Sequence, residues 1–303
     1  MNAPGAHGAN PAGQLSIAEC IASMGSGLVR GDDGILFGPV SKDVSYPWDG
    51  NENCFSVEED SFWFSHRNEC IISIVKNFPP LNREFIFDIG GGNGYVSKGL
   101  SDAGFDVVLV EPGKQGALNA RRRGLKNVVC ATLDSAKFHP RSMAAIGLFD
   151  VVEHIEDDLA FLRSTRELLK DGGRLYATVP AYSMLWSSED EKAGHFRRYS
   201  MGAICTRLVS AGLKVEFSSY IFKYLPLPIF LLRALPHRFG LSSFIDSQRD
   251  RIGDHRLGGG VFSRLLEAML KRELGNLAMN RPIRFGGSCL VVASVPGREN
   301  SRV

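Results

Sequence analysis

Asp88-Ile89-Gly90-Gly91-Gly92-Asn93-Gly94 decides the fold of this chain, because it lies between a short apolar run, Phe85 to Ile89, and a segment of helical character from Tyr95. Strand, glycine turn and helix in that order form a unit that holds a nucleotide-like ligand. Glycines at 90, 92 and 94 let the backbone turn sharply and approach a ligand that side chains would hold off. About twenty residues further on, a second apolar run, Val107 to Val110, ends at Glu111, where an acidic side chain can accept both hydroxyls of a ribose.

The details separate two ligand classes. A dinucleotide site asks for a third glycine where this chain has Tyr95, and for a pyrophosphate on the helix N-terminus. Asp88 at the strand end would repel a pyrophosphate and attract an ammonium. A ligand with ribose, adenine and a cationic amino-acid tail, and no phosphate, satisfies both observations. S-adenosylmethionine (SAM) is that molecule.

Apolar runs and helical periods alternate beyond this point. Strands are expected at Phe85 to Ile89, Val107 to Val110, Val128 to Cys130, Ala145 to Val151 and Arg174 to Val179. Helices are expected at Tyr95 to Ala103, near Gly116 to Arg123, and at Asp157 to Lys170, the last stopped by Gly172-Gly173. A helix near Met201 to Ala211 and strands at Lys214 to Tyr220 and Arg284 to Val295 follow. Such alternation predicts an α/β fold, a doubly wound, mainly parallel sheet with helices on both faces. A helical pattern at Val57 to Phe78, stopped by Pro79-Pro80, precedes it, and Gly31 to Tyr46 carries a small β element around Ile35, Phe37 and Val40.

The chain resembles the class I SAM-dependent methyltransferases, in particular their broad small-molecule branch. The likeness runs from about Phe85 to Val295. It rests on the glycine loop, Leu109-Val110-Glu111, Phe149-Asp150-Val151-Val152-Glu153-His154, Leu169-Lys170-Asp171-Gly172-Gly173 and Val179-Pro180. The resemblance implies seven strands in a Rossmann-like sheet, with residues 221–283 as an insertion before the last. It implies a flexible segment over 1–30, a cap region over 31–83 and a SAM-binding domain over 84–296.

By the same resemblance, Asp88, Gly90, Gly91, Gly92, Asn93 and Gly94 face the methionine and sugar, and Glu111 with Pro112 the ribose. Thr132 and Leu133 flank the adenine, and Asp150 and Val151 close the cofactor site. These positions fall at the carboxyl ends of strands, around the point where strand order reverses. His154 and His195 are both candidates for a general base, since imidazole titrates close to neutrality. Trp63, His66 and Arg67 on the helix before the glycine loop, with Tyr182, Trp186, Arg197, Arg198 and Tyr199 in the polar, aromatic stretch after Val179-Pro180, are expected to bind substrate. A competing expectation pairs Arg197 and Arg198 with Glu189, Asp190 or Glu191 in a solvated loop. Trp63 either shields a sulfonium by a cation–π contact or packs on the sheet.

Composition narrows the function classes. The chain has 303 residues, 35 Lys and Arg against 33 Asp and Glu, and 44% hydrophobic residues, so it suits a globular fold and offers no electrostatic case for nucleic acid. Six cysteines without a C-x-x-C pair suit reduced thiols in a cytoplasmic protein. Cys54, His66 and Cys70 lack a recognisable ligand spacing, so packing rather than metal binding is expected. The first thirty residues lack the basic start and apolar core of a secretory signal. Tyr220 to Pro236 is apolar but interrupted by Lys223, Pro226, Pro228 and Arg233, too broken to span a bilayer. It either packs internally, forms a dimer contact, covers the pocket, admits a lipophilic substrate or rests on a membrane surface. The expected activity is in-line methyl transfer to a small, partly apolar metabolite, by a monomer or homodimer. A non-catalytic SAM-binding subunit and an NAD(P)-dependent oxidoreductase are the alternatives.

Overall fold

The apolar runs become the central strands of one sheet. A computed structural model describes residues 17–39, 55, 58–59, 61–240 and 261–297. Val40, Cys54 and residues 241–260 of the expected insertion lie outside the described residues. The strands are β1 (Val29–Arg30), β2 (Leu36–Phe37), β3 (Ile86–Ile89), β4 (Val107–Val110), β5 (Val128–Cys130), β6 (Met143–Phe149), β7 (Leu169–Pro180), β8 (Lys214–Ile221) and β9 (Ser288–Ser294). Their order across the sheet is β1-β2-β5-β4-β3-β6-β7-β9-β8. Strands β2 through β7 pair in parallel, and β1, β8 and β9 join antiparallel.

The sheet therefore has nine strands among the described residues where seven were expected. The two extra are the halves of a short hairpin that adds to the β5 edge through Leu36 and Phe37. Asp33 shapes its turn by accepting from the Ile35 N–H at 3.0 Å. Within the stretch expected to be flexible, Ile17–Ser23 forms helix α1 and buries Ile21.

The main helices are α2 (Phe62–Asn77), α3 (Tyr95–Asp102), α4 (Lys114–Arg122), α5 (Leu133–Ala136), α6 (Asp158–Leu168), α7 (Ser188–Ala193) and α8 (Met201–Ser210). Helix α2 starts at Ser61, whose side chain accepts from the Phe64 N–H, and buries Cys70, Ile71, Ile74 and Val75. Asp157 caps α6 in the same way through Ala160. Gly172-Gly173 do not stop that helix, which ends at Leu168. They lie inside β7, where the Gly172 N–H donates to the Val295 carbonyl at 3.1 Å and the Val295 N–H to the Gly173 carbonyl at 2.9 Å. The sheet's hydrogen bonds prevail over the local turn tendency there.

After β8 the chain forms α9 (Pro226–Ile229), a π-helical turn (Phe230–Ala234) and α10 (Leu235–Arg238), and then α11 (Val261–Ala278). Helix α11 buries Leu270, Glu273 and Leu277. It is tied to α2 by Asn77, which donates to the Leu277 carbonyl at 2.9 Å. The core sits on both faces of the central strands, with Ile86, Phe87, Val108, Leu109, Ile146, Leu148, Val291 and Val292 buried. Each such side chain contributes about 1.5–3 kcal/mol of burial. That rigid sheet fixes the strand ends from which the site is built. No helix among the described residues is long and apolar enough to cross a membrane.

Candidate functional site

Strands β3, β4 and β6 deliver Asp88, Glu111 and Asp150 to the same end of the sheet, beside the reversal of strand order between β3 and β6. Asp88 is buried and accepts from Ser97 Oγ at 2.7 Å. Burial pushes its carboxyl up to about 6, against the opposing pull of the Ser97 hydrogen bond and of Arg67. Glu111 accepts from the Gly92 N–H at 2.9 Å with one oxygen and from the Gly113 N–H at 2.7 Å with the other, and burial pushes it up to about 7. Glu111 thus ties the glycine loop, through Gly92, to the turn after β4, through Gly113.

The loop needs its glycines for space. A Cβ on Gly91 would fall 2.9 Å from Asp88 Oδ2. Gly94 has φ of +78°, and a Cβ there would meet Leu125 at 2.6 Å. Asn93 is buried, accepts from Asn119 at 2.9 Å and faces Glu58 at 3.4 Å. The Pro112 carbonyl faces Cys130 Sγ at 3.8 Å.

Arg67 reaches from α2 to Asp150, and the two form an ion pair. Asp150 has a left-handed φ of 56° and also accepts from Thr178 Oγ1 at 2.7 Å. Val151 follows, close enough that a Cβ on Gly90 would fall 3.0 Å from it. A guanidinium, two buried acids and an open backbone therefore converge. That donor set suits a ligand carrying a carboxylate, an ammonium and a ribose, the functional groups of SAM.

Next to Val151 the 3-10 turn Val152–His154 brings a second cluster. Glu153 is 1% exposed, and neither carboxylate oxygen has a hydrogen-bond partner among the described residues. Burial, with the Asp150 charge adding to it, holds its carboxyl well above the usual range. The rings of His154 and His195 meet edge to face at 4.7 Å. Burial, followed by the effect of His195, pushes His154 down to about 4. One ligand-type atom each from Glu153, His154 and His195 lies within 4.8 Å of the others. His195 Nδ1 is 2.9 Å from Asp190 Oδ1, and Arg198 Nε is 2.7 Å from the same oxygen. The two histidines named as alternatives in the sequence are neighbours.

Several other expected residues are engaged within the protein. Trp63 stacks on Phe222 with centroids 3.8 Å apart. His66 Nε2 meets Glu273 Oε1 at 2.9 Å and Cys70 Sγ at 3.4 Å, while Glu273 also accepts the N–H groups of Phe222 and Lys223. His66, Cys70 and Glu273 thus form a buried polar clamp between α2, α11 and the end of β8. Arg197 pairs with Asp158 at 3.0 Å rather than with the loop acids, whereas Arg198 pairs with Asp190. Tyr199 is buried and donates to Asp158 Oδ2 at 2.9 Å. Thr132 caps α5 in a reciprocal box with Ser135, and Leu133 opens that helix. Tyr182, with φ of 56°, stacks on Tyr220 at 5.2 Å and lies beside Phe285. Trp186 ends the 3-10 turn Ser183–Leu185.

Sequence reasoning did not single out Ser97, Thr178 or the bond of Asp190 to His195, whereas Arg198 with Asp190 was one of the pairings expected. Ser187-x-x-Asp190 is a helix-start signature that was legible and marks Asp190 as a cap. Its second role depends on contacts across the loop, which spacing does not encode.

A model of the methyltransferase-domain family matches residues 63–216. This chain belongs to that family, the class I SAM-dependent methyltransferases. It is 25% identical over 109 residues to the ubiquinone biosynthesis O-methyltransferase of Aliivibrio fischeri strain MJ11, covering 34% of this chain and 47% of that protein. It is 36% identical over 105 residues to the protein of the same name from Cereibacter sphaeroides, covering 31% of this chain and 40% of that one. The chain thus spans less than half the length of these curated relatives. Among solved structures, a chain of the complex containing the Haloferax volcanii Trm112 methyltransferase activator superposes with a TM-score of 0.53 at 17% identity, over 84% of this chain and 96% of that one. This likeness establishes the shared fold.

Proposed function

We propose that the protein transfers the methyl group of SAM to an oxygen of a small, partly apolar metabolite. The observation that carries this reading is the convergence of Asp88, Glu111, Asp150 and Arg67 on the glycine loop. In this reading Arg67 exchanges Asp150 for the carboxylate of SAM, Asp88 faces its ammonium and Glu111 its ribose. The acceptor lies beyond the methyl group, on the side of His154 and His195. Oxygen is favoured because an O–H must lose its proton as the methyl arrives, and imidazoles beside the cofactor site can take it. The names of the curated relatives point the same way.

The imidazole pair also favours an enzyme over a non-catalytic SAM-binding subunit, which would have no use for it. Tyr95 in place of a third glycine and the buried acid Asp88 weigh against NAD(P). The exposed side chains of Leu227, Leu231 and Leu232 after β8, with Lys223 nearby, support contact with a lipophilic acceptor or its membrane. Calorimetric titration with SAM, S-adenosylhomocysteine and NAD tests the cofactor. Binding of NAD but not of SAM would refute the proposal. Labelled SAM incubated with cell extract then identifies the acceptor through the labelled product.

A further inference from the structure

Asp190 is bonded more fully than a helix cap requires. Its Oδ2 accepts from the Ser187 N–H at 2.9 Å and Ser187 Oγ at 3.3 Å, which completes the start of α7. Its Oδ1 points the other way, to His195 Nδ1 and Arg198 Nε. The carboxylate is wholly buried, yet it gathers all four donors. Burial alone would raise it, but the bonds from His195, Arg198 and Ser187 prevail and hold it below its ordinary range. An ionised carboxylate only accepts, so Nδ1 of His195 carries a proton, and in the neutral ring Nε2 is then the nitrogen with the lone pair.

The backbone fixes where that lone pair sits. The His195 N–H donates to the Asp190 carbonyl at 2.9 Å, and the Phe196 N–H donates to the Glu153 carbonyl at 2.8 Å. The ring is thereby held between α7 and the turn after β6, with its side chain 16% exposed. From that turn it faces His154 and Glu153, with Asp150 behind them; from its own loop it faces Asp190 and Arg198. The buried Asp190 carboxylate is hydrogen-bonded to the ring of His195, whereas burial and the neighbouring imidazole disfavour the protonated form of His154.

We propose that Asp190 is the positioning residue that makes His195 Nε2, rather than His154, the proton acceptor for methyl transfer. This rests on the methyltransferase reading above. The acceptor oxygen forms a bond to the methyl carbon of SAM as the carbon–sulfur bond breaks, and S-adenosylhomocysteine leaves as a neutral thioether. The acceptor's proton passes to His195 Nε2, and the imidazolium so formed is stabilised across Nδ1–H by Asp190. Charge balances, since the positive charge lost from sulfur appears on His195.

The test uses the full chain with histidines labelled in ¹⁵N. Long-range ¹H–¹⁵N spectra of the parent, saturated with S-adenosylhomocysteine, should show neutral His195 as the Nδ1–H tautomer. In Asp190→Asn the imidazole pKa should fall, and Asp190→Glu should restore it in part. Single-turnover transfer to the acceptor identified with labelled SAM should fall about 10²-fold or more in Asp190→Asn, with its acid limb at lower pH and SAM affinity unchanged. A parental rate and pH profile in folded Asp190→Asn would overturn the proposal. If that variant does not fold, the parent spectrum decides: an Nε2–H tautomer overturns it. Failure of the parent to bind SAM would instead refute the methyltransferase reading, a result that calorimetry registers separately.

Discussion

Glu111→Gln probes the proposed ribose contact most sharply, because the bonding of this carboxylate can be counted. An ionised carboxylate offers about four lone-pair sites. Gly92 and Gly113 fill two of them, which leaves two for a ribose diol. Moving a carboxyl from an ordinary 4.5 to about 7 separates its ionised and neutral forms by about 3 kcal/mol, at about 1.4 kcal/mol per pH unit. The sign for folding follows from a folded value raised above the unfolded one. The neutral acid's contribution to stability is full below pH 4.5 and is lost as pH rises through about 7. Binding of SAM has the opposite sign, since the diol needs the ionised form and must displace the proton below pH 7. In calorimetry at pH 5.5 and 7, below the range where the amine of SAM titrates, the ratio of parent to variant affinity should rise roughly tenfold. Burial pushes Asp88 up to about 6, in the same range, and taking the ratio removes the part of its effect common to both proteins. At pH 7 and above the variant should lose about 1.5–3 kcal/mol of SAM affinity. A ratio that stays flat with pH, or an unchanged affinity, would remove Glu111 from the ribose.

Arg67→Met should weaken SAM by about 2 kcal/mol or more, the scale for removing one member of a buried charge pair, but leave 5′-methylthioadenosine binding as in the parent. Equal losses for both ligands would show that Arg67 shapes the site without meeting a carboxylate. Glu273→Gln should lower stability by about 1–3 kcal/mol in urea, because His66 and the Phe222 and Lys223 N–H groups share this one carboxylate, and should leave SAM affinity intact. Leu227→Glu with Leu231→Glu, at positions 65% and 49% exposed, should change stability by about 0.5 kcal/mol or less while abolishing sedimentation with anionic vesicles. Undiminished vesicle binding would exclude this face as the lipid contact.

The cluster around the glycine loop was legible because its information is local. Strand, glycine turn and helix are contiguous in sequence, and Glu111 lies one strand away along a parallel pair whose register sets Ile89 beside Val110. The same locality misled at Gly172-Gly173. Two adjacent glycines after a helical period read as a stop, yet the decisive partner, Val295, lies more than a hundred residues away in sequence and draws them into β7. It also explains the extra strands: a small β element around Ile35 and Phe37 was legible within Gly31 to Tyr46, but not its pairing with Val29 and Arg30 or its attachment to Val129 and Cys130.

The cluster around His154 and His195 depends on contacts of the second kind. Arg197 and Arg198 are adjacent and chemically alike, but one pairs with Asp158 on α6 and the other with Asp190 on α7. No charge pattern within the loop distinguishes them. His154 and His195 read as rivals because forty residues separate them, and only the folding of the loop onto the turn after β6 brings the rings to 4.7 Å. Their environments then separate them in a way composition could not. Burial and a neighbouring imidazole make His154 hard to protonate, while a buried, four-donor carboxylate orients His195. A pair of titratable groups placed in such unequal surroundings divides the labour of holding and accepting a proton. On the proposal above the chemistry turns on Asp190, a residue whose local signature marks the start of a six-residue helix.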